Sequence, residues 1–125
     1  MNKKVSTQRA PGAIGPYSQA IVAGDFIYVS GQLPIDPATG EFAGADIKSQ
    51  TRQSLTNVKA ILDEAGYTMT DVVKSTVLLQ EIADFGPMNE VYAEFFTGDC
   101  PARAAFAVKA LPKAALVEIE VVAHK

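Results

Sequence analysis

Two opposite charges stand inside apolar stretches near the carboxyl end of this chain. Arg103 opens the run Arg-Ala-Ala-Phe-Ala-Val, and Glu118 lies within Leu-Val-Glu-Ile-Glu-Val-Val. A guanidinium stays ionised, and its planar fork fits a carboxylate or phosphate through two parallel hydrogen bonds. A carboxylate in such a place can hold a water molecule and act as an acid or a base. The pair therefore indicates a site that grips an anion and activates water.

The same two residues also allow a structural interpretation. Arg103 can form an ion pair with Glu118 or Glu120 if their strands are neighbours in a sheet. Glu118 can also serve in a salt bridge between subunits. The residues alone leave the structural and the chemical interpretations open.

Other reactive side chains give weaker signals. Cys100, the only cysteine, has no plausible histidine partner for nucleophilic catalysis, so we predict a packing residue. His124, the only histidine, lies beside the carboxyl terminus, where we expect it at the solvated end of a strand. These two residues supply no metal ligand set, and neither a phosphate-binding glycine pattern nor a nucleophile elbow is present. We therefore expect no metal and no other cofactor.

Two hydroxyl groups lie where binding sites are commonly built. Tyr17 stands near the end of the segment 10–18, which two prolines and two glycines keep out of a regular helix. Ser30 ends an apolar run, and Gly31 follows it and leaves room for a close approach to the backbone. We treat these three residues as candidate binding positions.

Strands and helices must position these residues. Runs of alternating or β-branched residues predict five strands. They span residues 19–22, 26–30, 72–79, 103–108 and 116–123. Apolar residues at spacings of three or four predict two helices, which Asp46 and Asp84 cap at their N-termini and Gly66 and Gly98 end.

The second predicted helix carries a stripe of large apolar residues. Phe85, Met88, Tyr92 and Phe95 recur at helical spacing, and we predict that they belong to the core rather than to a binding site. Asn89 lies in the same helix, where we expect it to be solvated unless a neighbouring subunit contacts it.

The order of these segments, ββαβαββ, describes an α+β fold. We predict a single domain over residues 1–125, in which a mixed six-stranded sheet, with one strand beyond the five segments placed above, carries both helices on one face. Alternation along the last strand points Glu118 and Glu120 to the face opposite the helices. A small sheet covered on one side often covers its other face by forming an oligomer. A site at that junction would be shared between subunits.

Composition and charge disfavour several classes of function. A chain of 125 residues that are 48% apolar can bury one core without metals or disulfides. The net charge of -3 and the lack of a basic block indicate no positively charged surface that would bind nucleic acid or an anionic membrane. We expect neither a signal peptide nor a membrane anchor, because no apolar run is long enough. A single cysteine is typical of a reducing compartment, most simply the cytoplasm.

Four motifs of the chain resemble signatures of the RidA (YjgF) family, the enamine/imine deaminases once called L-PSP endoribonucleases. They are Ala-Ile-Gly-Pro-Tyr-Ser-Gln-Ala at 13–20, Val-Ser-Gly-Gln-Leu-Pro at 29–34, Pro-Ala-Arg-Ala-Ala at 101–105 and Val-Glu-Ile-Glu at 117–120. The resemblance covers nearly the whole chain. It implies a fold similar to the trimeric, barrel-forming chorismate mutase, with three clefts between subunits.

The resemblance also implies an activity. Family members of this type hydrolyse 2-imino acids released by pyridoxal-phosphate enzymes, such as 2-iminobutanoate and 2-iminopropanoate, to 2-keto acids and ammonia without a cofactor. The carboxylate-binding arginine of the family falls on Arg103 and its water-positioning glutamate on Glu118. The implied reaction proceeds through a carbinolamine that collapses to ketone and ammonia. Cys100 takes no part in it, and Glu120 has no assigned role.

Five further positions match the family's cleft. Tyr17, Ser30 and the backbone of Gly31 fall on binding positions, and Asn89 falls on a residue that the adjacent subunit brings. Ala105 stands where many members carry a cysteine. Because the family uses the backbone at that position, the resemblance implies loss of thiol-based regulation there rather than loss of deamination.

Other functions remain open on the same fold. The cleft can bind or sense 2-keto acids or other small carboxylates without catalysis; Arg103 supports this as well as it supports an enzyme, whereas Glu118 favours the enzyme. Ribonuclease or translation-inhibitor activity is disfavoured, because the chain is acidic and has no basic patch. The sequence neither supports nor opposes the chaperone-like role attributed to the family.

Overall fold

One mixed sheet carries both helices on a single face. A computed structural model describes residues 1–125. The strands are β1 (Lys3–Val5), β2 (Ala20–Ala23), β3 (Phe26–Gln32), β4 (Val72–Leu79), β5 (Ala102–Ala107) and β6 (Val117–His124), and the helices are α1 (Ile47–Glu64) and α2 (Phe85–Phe95). The predicted α+β class, the two helices and the six-stranded sheet are confirmed. The one strand missing from the predicted segments is β1, a three-residue edge strand.

Helix α1 begins and ends as predicted. The Asp46 carboxylate accepts a hydrogen bond from the backbone N–H of Ser49 at 3.0 Å, and this bond lowers the pKa of Asp46. Gly66 follows the last turn with a φ of +82°, a left-handed conformation that glycine adopts without strain. Neither helix combines the length and the apolar character that crossing a bilayer requires.

Helix α2 begins directly after Asp84, the predicted N-cap, but ends earlier than predicted. A short 3₁₀ turn (Ile82–Asp84) leads into it, and the side chain of Asp84 makes no capping hydrogen bond. The helix stops at Phe95, before it reaches Gly98. Met88 and Tyr92 are buried as predicted, whereas Phe85 and Phe95 are only partly buried.

The order of strands decides which residues can meet. The sheet runs β1-β2-β3-β6-β4-β5, with β4 and β5 parallel and every other pair antiparallel. Strand β4 therefore separates β5, which carries Arg103, from β6, which carries Glu118 and Glu120. The predicted alternative of an ion pair across neighbouring strands is wrong, and none of the chain's four ion pairs involves these three residues.

The two faces of the sheet are unlike. Alternate residues of β6 are buried against the helices, namely Val117, Ile119, Val121 and Ala123. The opposite face carries Glu118 and Glu120, as predicted, and leaves aromatic side chains in solvent, with Tyr28 51% and Phe106 47% exposed. We call this second surface the open face.

Candidate active site

Arg103 lies on β5 and is held by side chains of α2. Its guanidinium carbon is 4.8 Å from the centre of the Tyr92 ring and 5.3 Å from that of Phe85. Its Nη1 donates a hydrogen bond of 2.7 Å to Oδ1 of Asn89. Two aromatic rings and one amide thus fix the guanidinium, and no carboxylate neutralises it. A fixed, half-buried cation of this kind is suited to bind an anion.

The positions of three residues along α2 explain this arrangement. Phe85, Asn89 and Tyr92 stand at i, i+4 and i+7, so one side of α2 presents all three toward β5. Asn89 is half-buried and bonded to Arg103 of its own chain, which corrects the expectation that it is merely solvated. From the sequence, Phe85 and Tyr92 were assigned only to the core. Their spacing from Asn89 was the signal that they lie on the same side of the helix and can share its contacts.

Ala105 lies two residues beyond Arg103 on the same face of β5. It pairs with Val77 of β4 and packs, half-buried, against the core. Its methyl group offers no chemistry, so this position can contribute to a site only through its backbone.

Glu118 is the second chemical group, and it stands on the open face. Burial raises the pKa of its carboxyl group, and the nearby charge of Glu120 raises it further. No cation pairs with it. A carboxyl group with a raised pKa both accepts and returns a proton more readily, which suits it to handle a water molecule.

A bulge in β3 brings the backbone up against Glu118. Val29 pairs with Val121 and Gln32 with Ile119, so β3 carries one extra residue at Ser30–Gly31. A Cβ atom added at Gly31 would collide with the Glu118 carboxylate. Gly31 is therefore required sterically, because only a residue without a side chain leaves the carboxylate in this place.

Ser30 connects this bulge to the loop that carries Tyr17. Its hydroxyl donates a hydrogen bond of 2.6 Å to the carbonyl of Ser18. Tyr17 is 52% exposed and borders an open depression of about 590 Å³. Ser30 and Glu120 border a second depression of about 310 Å³. Ser30 thus lies with Glu120 on the open face, and Ser18, which borders both depressions, connects it to Tyr17.

The candidate residues therefore form two groups, which one chain does not bring together. Arg103 pairs with Ser75 of β4, and Glu118 pairs with Leu78 of the same strand. Positions 75 and 78 are an odd number of residues apart, so their side chains point to opposite faces. We call the residues around Arg103 the cation group and those around Glu118 the carboxylate group. The cation group comprises Phe85, Asn89, Tyr92, Arg103 and Ala105, and the carboxylate group comprises Tyr17, Ser30, Gly31 and Glu118.

Neither remaining reactive residue joins these groups. Cys100 is exposed, which corrects the prediction of a packing residue, and its Sγ lies 3.8 Å from the carbonyl oxygen of Phe96. His124 is exposed at the end of β6 and packs against Phe26 in a tilted arrangement, with ring centres 4.6 Å apart. No three or more His, Cys, Asp or Glu side chains lie together as a metal ligand set.

Comparisons with known proteins give close matches. The family model described as Endoribonuclease L-PSP matches residues 7–125. A RutC family protein of Pyrococcus horikoshii is 56% identical over 125 residues, covering 100% of this chain and 99% of the relative. The 2-iminobutanoate/2-iminopropanoate deaminase of Bos taurus is 50% identical over 123 residues, covering 98% and 90%. The crystal structure of E. coli TdcF with bound serine superposes with a TM-score of 0.95 at 45% identity, over 98% of each chain.

Proposed function

This chain belongs to the RidA/YjgF family, and we propose that it is a 2-iminobutanoate/2-iminopropanoate deaminase. It converts reactive imino and enamino acids from pyridoxal-phosphate enzymes to 2-keto acids and ammonia, a form of metabolite damage control. A relative of 50% identity bears this name. The observation that carries the proposal is the unpaired guanidinium of Arg103, fixed between the Phe85 and Tyr92 rings.

The cation group is suited to a substrate carboxylate. Asn89 occupies one donor of Arg103, at Nη1, and leaves the other N–H groups of the fork available. A carboxylate that accepts two of them is held in a fixed plane. This grip places the imine carbon, which is bonded directly to the carboxylate carbon, at a defined distance from the arginine.

The carboxylate group supplies the chemistry. Glu118 accepts a proton from a bound water molecule as the water oxygen adds to the imine carbon, and the proton passes to the nitrogen to give a carbinolamine. Protonation of the amine and loss of the hydroxyl proton then release ammonia and leave the ketone. An imine is already electrophilic, so positioning and proton transfer are sufficient and no cofactor is invoked.

We further propose that the two groups meet between subunits of a homotrimer. In one chain Arg103 and Glu118 face opposite ways, whereas a second copy packed on the open face can bring its own cation group to Glu118. The exposed Tyr28 and Phe106 would be covered by that contact. The single cysteine supports a reducing compartment such as the cytoplasm.

Binding of a small carboxylate without catalysis is the second candidate. The cation group supports it equally, and the E. coli TdcF structure with bound serine supports it as well, because serine carries a carboxylate. The half-buried carboxyl group of Glu118 favours the enzyme, because a carboxyl with a raised pKa can take up and return a proton. The net negative charge of the chain disfavours RNA as a substrate, because RNA is a polyanion.

A coupled assay distinguishes these candidates. Threonine dehydratase generates 2-iminobutanoate in situ, and the release of 2-ketobutanoate is timed with and without the purified protein. We expect acceleration by the wild-type protein and none by Arg103→Ala in an oligomer of unchanged size. Wild-type protein that leaves the rate at its spontaneous value would refute the deaminase, and full turnover by Arg103→Ala would refute the role of the arginine.

A further inference from the structure

A pair of hydroxyl groups stands behind the cation group. Oγ of Ser75 and the phenol oxygen of Tyr92 lie 2.6 Å apart, and Ser75 is fully buried. We propose that Ser75 is a positioning residue, whose hydroxyl holds the Tyr92 ring under the Arg103 guanidinium and thereby sets the affinity for the substrate carboxylate. This inference rests on the proposed function, because it concerns the same carboxylate grip.

The fold places these residues in a triangle. Ser75 and Arg103 are register partners on the parallel strands β4 and β5, so their side chains leave the sheet on the same face. Tyr92 reaches down to them from α2. Its hydroxyl meets Ser75, and its ring face meets the guanidinium at 4.8 Å. Ser75 therefore acts on Arg103 through the aromatic ring that lies between them.

Two contacts define the position of this ring. Tyr92 packs on Phe96, with ring centres 4.6 Å apart, and its far end is held by the hydrogen bond to Ser75. The second side-chain torsion of tyrosine has a broad energy minimum, so packing alone permits the ring to tilt. The bond to Ser75 restricts that tilt. Its loss would move the ring face on which the guanidinium rests.

A competing interpretation is that the bond only satisfies two buried hydroxyl groups. The two interpretations differ for the double variant Ser75→Ala/Tyr92→Phe. Removing both partners of a buried hydrogen bond leaves no unsatisfied group, so stability changes little. A purely structural bond would leave carboxylate affinity at its wild-type value in this variant. A positioning bond would leave the affinity weakened although the fold is stable.

The test measures binding and turnover separately. Calorimetry gives the Kd for 2-ketobutanoate, and the dehydratase-coupled assay gives KM and kcat, for wild type, Ser75→Ala, Tyr92→Phe and the double variant. We expect Kd and KM to rise roughly tenfold in all three variants, the effect of one lost hydrogen bond of ordinary strength, with kcat little changed because the carboxylate is gripped alike in ground and transition states.

Ser54→Ala is the matched control. Ser54 is another fully buried serine, on α1, and its hydroxyl has no hydrogen-bond partner. Its removal tests whether any lost buried hydroxyl weakens carboxylate binding. We expect wild-type Kd and KM in this variant, and a tenfold rise there would overturn the inference.

The remaining outcomes separate the inference from the proposed function. Wild-type Kd and KM in the double variant would overturn the inference and leave the deaminase standing. Wild-type protein that binds 2-ketobutanoate without accelerating imine hydrolysis would overturn the deaminase, and the Kd values of the variants would still decide the inference. If wild type neither binds 2-ketobutanoate nor accelerates imine hydrolysis, both fail; if it accelerates hydrolysis without measurable product binding, the KM values of the variants decide the inference. Should Ser75→Ala not fold, Tyr92→Phe and the double variant carry the test.

Discussion

Arg103 and Glu118 project from opposite faces of the same sheet, with strand β4 between the strands that carry them. Each is equipped for one half of a hydrolytic reaction. The arginine is a fixed cation without a counter-ion, and the glutamate has a raised pKa and no cation partner. Their separation within one chain is the reason to place the complete site between subunits.

The guanidinium should not be replaceable by an ammonium group. Lysine carries a point charge on a flexible stem and lacks the planar fork that lies against the Phe85 and Tyr92 rings, so we expect Arg103→Lys to lower kcat/KM by about 100-fold or more. Steady-state kinetics with 2-iminobutanoate measure this loss. The control is Arg52→Lys, because Arg52 is an exposed arginine paired with Glu94. Wild-type KM in Arg103→Lys would contradict the bidentate grip.

Gly31 should be required for catalysis rather than for folding. A methyl group at position 31 collides with the flexible end of Glu118, which can move aside, so the protein folds but the carboxylate is displaced. We expect Gly31→Ala to lower kcat by about 100-fold, the usual effect of misplacing a catalytic group by roughly 1 Å. Thermal unfolding checks the fold.

Two comparisons make this prediction specific. Gly98→Ala is the control, because a Cβ at Gly98 meets no atom within 4 Å. In the double variant Gly31→Ala/Glu118→Gln, we expect no loss beyond that of Glu118→Gln alone, since position 31 acts through the carboxylate. Fully additive losses would show that Gly31 matters for another reason.

Glu120 should shift the pH dependence of the reaction. Its negative charge disfavours the ionised form of Glu118, so it raises the pKa of Glu118, after the larger effect of burial. Neutralising it in Glu120→Gln lowers that pKa. Because the ionised carboxylate is the form that accepts the proton, activity is lost as pH falls through the pKa. We therefore expect the acid limb of kcat/KM to move to lower pH.

The measurement is a pH profile with the spontaneous hydrolysis of the imine subtracted at each pH. Glu64→Gln serves as the control, since Glu64 is an exposed carboxylate on α1, paired with Arg9 at 3.7 Å. An acid limb that stays in place or moves to higher pH in Glu120→Gln would show that Glu118 is not the titrating group.

Local patterns in the sequence predicted most of the elements. Helix α1 was predictable because Asp46, the apolar spacing and Gly66 all indicate the same segment, and the structure agrees. Strand β1 was missed because three residues of an edge strand are too few to show a period. Helix α2 begins after Asp84 as predicted, but it ends at Phe95 and does not extend to Gly98.

Local patterns in the sequence could not predict the order of the strands or the contacts between distant residues. The position of β4 between β5 and β6 depends on long-range pairing, and it separates Arg103 from Glu118 and Glu120. The role of Ser75 was hidden for the same reason. Nothing near it in sequence indicates that Tyr92, seventeen residues later, comes within hydrogen-bond distance.

Complementation between two inactive variants tests the shared site most directly. Arg103→Ala and Glu118→Gln proteins are unfolded together, refolded as a mixture and checked by native mass spectrometry for mixed oligomers. In a ring of identical interfaces with random assortment, about one quarter of the sites receive an intact Arg103 from one subunit and an intact Glu118 from its neighbour. We therefore predict that the mixture regains about a quarter of wild-type imine hydrolysis. Mixed oligomers as inactive as either variant alone would contradict a site shared between subunits.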